Sequence, residues 1–483
     1  MSNEDTESNE TEPTLKFRGG VYTGAVPMIF FIIWAVTFSL MGISSEALML
    51  VGMIIGLMIG LLLSKSRWKD YAETLFTGMS QKIAFVAIAA YFWAGMFSTV
   101  LTDGGFVDGL IWVGLEIGVE GAVFTALTFI LAALFGTATG TAYGTITAFL
   151  FIMLPAGVAL GSEPVVLIGA IISGGIFGDN LAPISDTTII SATTQKADIP
   201  GVVRTRFKYA IAAAVPATIL FLIFGGNGGS TQNAGNLAEI ESAANPEGLI
   251  FLIPFAAVLI IAFLGHHILT SLTWGIVIAI IITLIKGTPP QSILSVDVST
   301  GEIDGALING ISGYFELSML LLFILGGTYI LESSGVMNKL IALGEKFAKG
   351  VVKRAELAMY FTTVLFSILI THNAAAGITV SSFVRRVGEK YNIHGYRRAN
   401  VLDGIISSVA GIIPWGGHVL LAMTTVATLS DSYDFISPVN PTEMVPYIFH
   451  GWALPIVMFM AVITGWGLKF TGPDGKPTKQ NRS

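Results

Sequence analysis

Apolar residues in this chain gather into long runs, at about 26–43, 47–63, 82–101, 106–135, 144–160, 164–177, 187–195 and 209–224. After a Gly/Asn/Ser-rich stretch at 225–248 the runs resume at about 249–265, 268–286, 307–331, 355–371, 376–384, 399–426 and 447–468. A helix needs roughly 20 apolar residues to cross a bilayer. Several runs reach that length. The shorter ones predict hairpins that turn back inside the membrane, or helices broken part-way where the freed backbone faces protein or a hydrated cavity.

The two sets of runs correspond at an offset of about 230 residues. Val26-Pro27 opens one and Ile253-Pro254 the other. Thr77-Gly78-Met79-Ser80 matches Asn309-Gly310-Ile311-Ser312, Gly105…Leu110…Gly114 matches Gly335…Leu340…Gly344, Gly144 matches Gly377, and Pro183 matches Pro414. This pattern points to an internal duplication. The positive-inside rule then orients the copies. Of 25 Lys and Arg, all but Lys286 fall in clusters that one path can place on the cytoplasmic side, including Lys196, Arg204, Arg206 and Lys208. That path makes the first copy start from inside and the second from outside. The expectation is an all-α polytopic membrane protein of two inverted-topology repeats, each with a re-entrant hairpin and a broken transmembrane helix. It divides into an acidic cytoplasmic tail (1–20), a first repeat (21–224), an extracytoplasmic linker (225–248), a second repeat (249–470) and a cytoplasmic C-terminal tail (471–483). Repeats of this kind place substrate and coupling ion near the bilayer midplane.

Composition agrees with the membrane reading. The chain is 53% hydrophobic and 12% charged, with a mean hydropathy of +0.75, and it contains no Cys. Disulfides, thiolate metal sites and Cys nucleophiles are thereby excluded. Of the net charge of −7, Glu4, Asp5, Glu7, Glu10 and Glu12 belong to a tail that reads as solvated and disordered. No basic block suggests nucleic acid.

Polar residues inside the apolar runs carry the candidate chemistry. The first hairpin tip, Gly136 to Thr145, holds Thr137, Thr139 and Thr141, whose hydroxyls and neighbouring carbonyls suit a dehydrated hard cation. The first break reads Gly178-Asp179-Asn180-Leu181-Ala182-Pro183-Ile184-Ser185-Asp186-Thr187-Thr188. Carboxylates in a membrane interior are functional candidates by default. Asp179 and Asp186 are therefore expected to hold Na⁺ with Thr139, with Asn180, Ser185, Thr187 and Thr188 as further ligands. Asp186 can equally serve as a helix cap. The second copy offers His372 and Asn373 at its tip and Asp403, Ser407 and Ser408 at its broken helix. Asp403 lies near Arg397-Arg398, so an interfacial ion pair is an equal reading. Glu316 is a weaker proton-relay candidate, and His266-His267 reads as interfacial.

The Gly178 to Thr188 string, with Ile413-Pro414-Trp415, resembles the NhaC family of Na⁺/H⁺ antiporters, over about 26–470. The resemblance implies the ion-transporter superfamily fold, a scaffold domain with a hairpin-bearing transport domain, usually dimeric and moving as an elevator. Tyr143 stands where that family commonly has Trp. The function expected is a secondary antiporter exchanging Na⁺ for H⁺ across the cell's inner membrane, as a homodimer without cofactor. The alternative is a Na⁺- or H⁺-coupled carrier of a small carboxylate, malate- or lactate-like, or of an amino acid. An organic anion needs a cationic partner, and this reading leaves the membrane interior without Lys or Arg, which favours the bare cation. An enzyme is excluded, since no nucleophile–base pair appears.

The topology is checked by single cysteines introduced at Ser230 and Lys349 in this Cys-free chain. Ser230→Cys is expected to react with an impermeant maleimide from outside and Lys349→Cys only after permeabilisation. Equal labelling of both from outside contradicts antiparallel copies.

Overall fold

The computed structural model describes residues 15–41, 45–226, 244–264, 266–312, 314–348, 350–433 and 435–479. The acidic residues of the expected tail, linker positions 227–243, Lys349 and residues 480–483 lie outside the described residues.

The first half of the chain forms α1 (Val26–Leu40), α2 (Glu46–Leu63), α3 (Trp68–Met79), α4 (Lys82–Asp103), α5 (Phe106–Ile117), α6 (Gly121–Thr139), α7 (Ala142–Ala159), α8 (Pro164–Leu181), α9 (Asp186–Thr194) and α10 (Ile199–Phe224). The second forms α11 (Leu252–Phe263), α12 (Ile268–Ile285), α13 (Ala306–Ser312), α14 (Phe315–Ser333), α15 (Val336–Phe347), α16 (Val352–Ile370), α17 (Asn373–Lys390), α18 (Gly395–Val409), α19 (Gly417–Ser432) and α20 (Phe449–Thr464). Single helical turns precede several of them, and two short β-hairpins, at Ser295–Asp304 and Phe470–Thr478, are peripheral. Among the described residues, nine helices are long and apolar enough to cross a membrane, and a tenth if the bent pair Pro441–Tyr447 and Phe449–Thr464 counts as one span. The chain is a multi-pass helical membrane protein.

Three of the differences from the apolar runs bear on the site. The run 106–135 is two helices, because Gly118 and Gly121 take left-handed φ values of 64° and 54° and reverse the chain. The run 209–224 begins a helix earlier, at Ile199, where Asp198 accepts a hydrogen bond from Gly201 N at 2.7 Å and Pro200 sits in the first turn. The run 399–426 is split between α18 and α19 around Pro414.

One helical hairpin with a buried tip occupies each half. The α6–α7 hairpin is closed at its base, where Gly121 N donates to Leu160 O at 2.7 Å. The α16–α17 hairpin is closed by Tyr391, whose hydroxyl accepts from Gly350 N and donates to Ala348 O. Both tips turn in the same two-residue manner. A left-handed residue ends the first arm, Gly140 at φ 69° and Thr371 at φ 58°, and an extended residue, Thr141 or His372, starts the second. Glycine adopts this geometry freely, whereas for the β-branched Thr371 it costs about 1–3 kcal/mol. That cost is sustained only because buried neighbours fix the turn.

Small residues let the hairpins and broken helices approach closely. Along α8, Gly174 and Gly178 face Ala132 and Gly136 of α6, the small-xxx-small spacing of membrane helix contacts. A Cβ on Gly178 would lie 2.4 Å from Gly136 Cα, and one on Gly95 of α4 would lie 2.0 Å from the Gly310 carbonyl of α13. Neither backbone can retreat without shifting a helix that carries the site. Gly178→Ala is accordingly expected to destabilise the protein by about 1–3 kcal/mol through overpacking, lowering the unfolding midpoint in detergent by several degrees. An unchanged midpoint would mean that α6 and α8 pack less closely.

Candidate functional site

The first break is dictated by Pro183, which has no N–H to continue α8 and holds Ala182 in extended backbone. α9 restarts after Ser185, the residue at its N-cap position. Asp186 is thus the first residue of α9 and not its cap, and it is exposed. The Ser185 hydroxyl turns instead to the last turn of α8. It donates to Asp179 Oδ1 at 2.7 Å and lies 3.0 Å from Thr187 Oγ1.

Asp179 is 5% exposed. Its second oxygen accepts from Asn373 Nδ2 at 3.0 Å, a side chain supplied by the tip of the other hairpin. Among the described residues no Lys or Arg side chain forms an ion pair with it. A cavity of about 430 Å³ lies over this carboxylate. Its buried floor is formed by Thr139, Tyr143, Asp179, Thr187, His372 and Asn373, and its mouth by the exposed Lys82, Asp186, His266 and His267. The tips of both hairpins and the first break therefore meet in one space.

A second cluster lies on the other face of α9. Asp403 of α18, fully buried, forms an ion pair with Arg206 of α10, which is 1% exposed. The guanidinium also donates to Asn180 O at 2.5 Å, Thr188 Oγ1 at 2.8 Å, Ser191 Oγ at 3.1 Å and Asn400 Oδ1 at 3.3 Å. Asn180 O is one of the carbonyls left without an intrahelical partner at the end of α8, so the cation sits where the helix dipole is negative. Asp403 in turn accepts from Ser407 Oγ at 2.6 Å, with Ser191 and Thr188 hydroxyls at 3.1 and 3.4 Å. Ser407 also stands 3.5 Å from Thr187 Oγ1, which links the two clusters. Its single proton goes to the shorter bond with Asp403.

Several expectations change here. Asp403 does not pair with Arg397 or Arg398. Arg397 is buried against Glu356, with Nε donating to its Oε1 at 2.5 Å, and also reaches Tyr209 Oη and Ala461 O. Arg398 donates to Ile393 O and Gln195 O. The interior is not free of fixed cations, because Arg206 points inward from an apolar helix. Its neighbours by charge along the sequence, Arg204 and Lys208, are not buried. The signal that could have found it is helical phase: Val202, Arg206, Tyr209, Ala210, Ala213 and Ala217 form one buried stripe. Ser191 and Asn400 were missed with it.

Of the threonines in the first tip, only Thr139 and Thr141 line the cavity. Thr137 bonds back to Ala133 O, and Thr141 also accepts from Gly144 N at the start of α7. Asn180 contributes its carbonyl to Arg206, and its buried side chain has no protein partner. Ser408 bonds back to Gly404 O and lines no part of the cavity. His372 and Asn373 do reach the cavity, as do Asp186 and Thr187. Among the described residues no group of three or more His, Asp or Glu converges as a metal cluster would. The chemistry on offer is a single buried carboxylate among hydroxyl and amide oxygens, which suits a monovalent hard cation or a proton.

Comparison with known proteins bears on the family of the chain. The chain is 24% identical over 423 residues to the malate-2H⁺/Na⁺-lactate antiporter of Bacillus subtilis, covering 83% of this chain and 85% of that protein. It is 25% identical over 462 residues to the arginine/ornithine antiporter ArcD of Halobacterium salinarum, covering 92% and 91%. It is 23% identical over 361 residues to the Na⁺/H⁺ antiporter NhaC of Alkalihalophilus pseudofirmus, covering 74% and 65%. Among solved structures, Neisseria gonorrhoeae MtrF, from a class described as antimetabolite efflux pumps, aligns over 91% of this chain and 95% of its own, with a TM-score of 0.41 and 12% identity. Residues 9–226 and 244–452 match the profile of the Na⁺/H⁺ antiporter family, and the chain belongs to that family.

Proposed function

We propose that the protein exchanges Na⁺ for H⁺ across the cytoplasmic membrane, with Asp179 as the site the two ions share. The observation that carries this reading is the unequal treatment of two buried carboxylates. Asp403 is neutralised by Arg206, whereas among the described residues Asp179 receives only neutral donors, Ser185 and Asn373, and faces the cavity. A carboxylate without a fixed counter-cation inside a membrane protein must take one from solution, either a proton or a metal ion. Occupancy by one removes the attraction for the other, which is the condition for exchange. Thr139, Thr187 and Asn373, which share the cavity floor with Asp179, supply further oxygens around Na⁺. The inverted repeat, with both termini cytoplasmic, sets the cavity mouth at Lys82 on the cytoplasmic side.

A second reading rests on the size of the cavity. At about 430 Å³ it lies within the range of small-molecule sites and far exceeds a bare cation. A Na⁺- or H⁺-coupled carrier of a small carboxylate or amino acid would use Asp179 for the coupling ion and the remaining space for the solute. Two of the relatives are named as antiporters of such solutes.

Reconstitution into proteoliposomes with an internal pH dye separates these readings. Na⁺ alone is expected to move protons; a requirement for malate, lactate, arginine or ornithine supports the carrier instead. Asp179→Asn, which keeps shape and fixes neutrality, is expected to abolish Na⁺-dependent proton movement in a protein that remains monodisperse. Parental exchange with parental pH dependence in that variant makes the carboxylate structural.

The ion pair has its own signature. Arg206→Met leaves Asp403 buried and uncompensated, a change expected to cost about 3–5 kcal/mol. Arg206→Met combined with Asp403→Leu removes both charges and is expected to unfold at a higher temperature than either single variant. A double variant no more stable than the singles would show that the two side chains do not compensate one another.

A further inference from the structure

A second cavity, of about 390 Å³, lies at the base of the second hairpin. Asn373 begins α17 and Lys390 ends it, so at 1.5 Å per residue this base stands about 25 Å from the tip that meets Asp179. α15 leans on the hairpin through Gly344, where an added Cβ would lie 2.7 Å from Thr362 Oγ1 of α16 and 2.8 Å from Phe383 Cζ of α17. Ala342, Glu345 and Lys346 line the cavity from α15, and Arg386, Val387 and Lys390 line it from α17. Their spacing of three and four residues turns one face of each helix to the space. Arg386 pairs with Glu345 at 3.2 Å, whereas among the described residues Lys346 and Lys390 form no ion pair. The walls thus hold three cations against one carboxylate.

The fold does not require these cations. The first half of the chain builds matching elements without them: α5 corresponds to α15 at Gly105, Leu110 and Gly114, yet it carries Asp108 and Glu116 and no Lys or Arg, and α7 has no charged residue. Glu116 stands at the position of Lys346. The positive-inside rule accounts for an excess of cations on one side of a membrane. It does not account for three of them around one gap between two helices. The apolar residues of α15 add a second constraint. Val336, Met337 and Ile341 are buried, but Leu343 and Phe347 are 58% and 53% exposed, and Val351 at the start of α16 is 57% exposed. Leu343 and Phe347 each follow a cavity-lining residue and so lie about 100° around α15 from the cavity face. Cations and exposed apolar side chains side by side on one helix are the pattern of a helix lying in a membrane interface, with its apolar groups among acyl chains.

We infer that this cavity binds the phosphate-bearing headgroup of an anionic phospholipid, with Lys346, Arg386 and Lys390 around the phosphate and the acyl chains along Leu343, Phe347 and Val351. Basic pockets between membrane helices take headgroups in this way. A free phosphate ion has the same charge to offer the cations but nothing to set against the three exposed apolar side chains. The lipid satisfies both parts of the surface. A headgroup seated there bridges α15 and α17 and ties the base of the hairpin to a neighbouring helix. The site is independent of which ion or solute Asp179 serves.

Native mass spectrometry of the full chain in detergent, titrated with phosphatidylglycerol or with phosphatidylcholine of the same acyl chains, tests the site. Phosphatidylglycerol is expected to bind on the order of tenfold more tightly or better, and each cation removed to weaken it about fivefold, so that Lys346→Gln with Arg386→Gln and Lys390→Gln loses on the order of a hundredfold. Phosphatidylglycerol is also expected to raise the unfolding midpoint of the parent but not of the triple variant, since a ligand of the folded state stabilises it only where it binds. Lys346→Arg with Lys390→Arg keeps the charges and is expected to keep the binding. Lys65→Gln with Lys69→Gln, exposed cations of another loop, is expected to leave it within about twofold of the parent. If the triple variant is not monodisperse, Lys390→Gln alone decides by its fivefold loss. Equal binding of the two lipids, or an equal loss in the Lys65 and Lys69 variant, overturns the site. Displacement of phosphatidylglycerol by millimolar inorganic phosphate identifies a free-anion site and overturns the lipid as its occupant.

Discussion

A guanidinium and a carboxylate can be kept inside a membrane protein only together, and only if the hydrogen-bonding capacity left over after they pair is also met. The Arg206–Asp403 pair imposes that requirement on four helices at once. α10 brings the cation, α18 the anion, α9 the hydroxyls of Thr188 and Ser191, and the end of α8 the carbonyl of Asn180. None of these can rotate or slide without uncovering a charge. The pair is weak evidence for net stability, since two apolar residues could pack as well. It is strong evidence for a unique arrangement, because each misplacement leaves a polar group unpaired in a medium without water.

The break at Pro183 follows the same logic. A helix interrupted inside a membrane exposes carbonyls that lipid cannot satisfy, so the interruption persists only where the protein supplies donors. Arg206 supplies one for Asn180. In return, the unwound stretch lets Ser185 reach back to Asp179, and Thr187 links the two clusters through Ser185 and Ser407. A line of polar groups thus runs from Asn373 through Asp179, Ser185, Thr187 and Ser407 to Asp403 and Arg206. One end is electrically closed and the other faces the cavity. The asymmetry leaves the charge of Asp403 matched by Arg206, whereas Asp179 has no ion-pair partner among the described residues.

Close packing of small residues holds this line in place. Gly174 and Gly178 allow α8 to lie directly on α6, so the hairpin tip at Gly140 and Thr141 is carried to the break, with Ile184 and Ser185 against Gly140. The second hairpin brings Thr371, His372 and Asn373 to the same space from the other half of the chain. The floor of the cavity is therefore made of contacts between segments nearly 200 residues apart in sequence. Its shape depends on helix spacing more than on any single side chain.

Much of the architecture was legible in the sequence because a bilayer leaves the backbone few options. Apolar runs must become helices and runs too short to span must turn or break, and Gly140 and Pro183 mark where two of them do so; the tip at Thr371 carries no such residue and is held by its buried neighbours. Intramembrane acids are costly, so Asp179 and Asp403 stood out for the same reason. The sequence could not say which acid was compensated. Arg206 lies among Arg204 and Lys208 and reads as one of a solvated cluster, and only the rotation of α10 against α8, α9 and α18 turns it inward. Likewise the hydroxyls of Thr137 and Thr139 are equivalent as letters, yet one bonds back to its own helix and the other lines the cavity. Partner choice depends on distances of a few ångströms between helices remote in sequence, and those distances are set by packing, which no local pattern encodes.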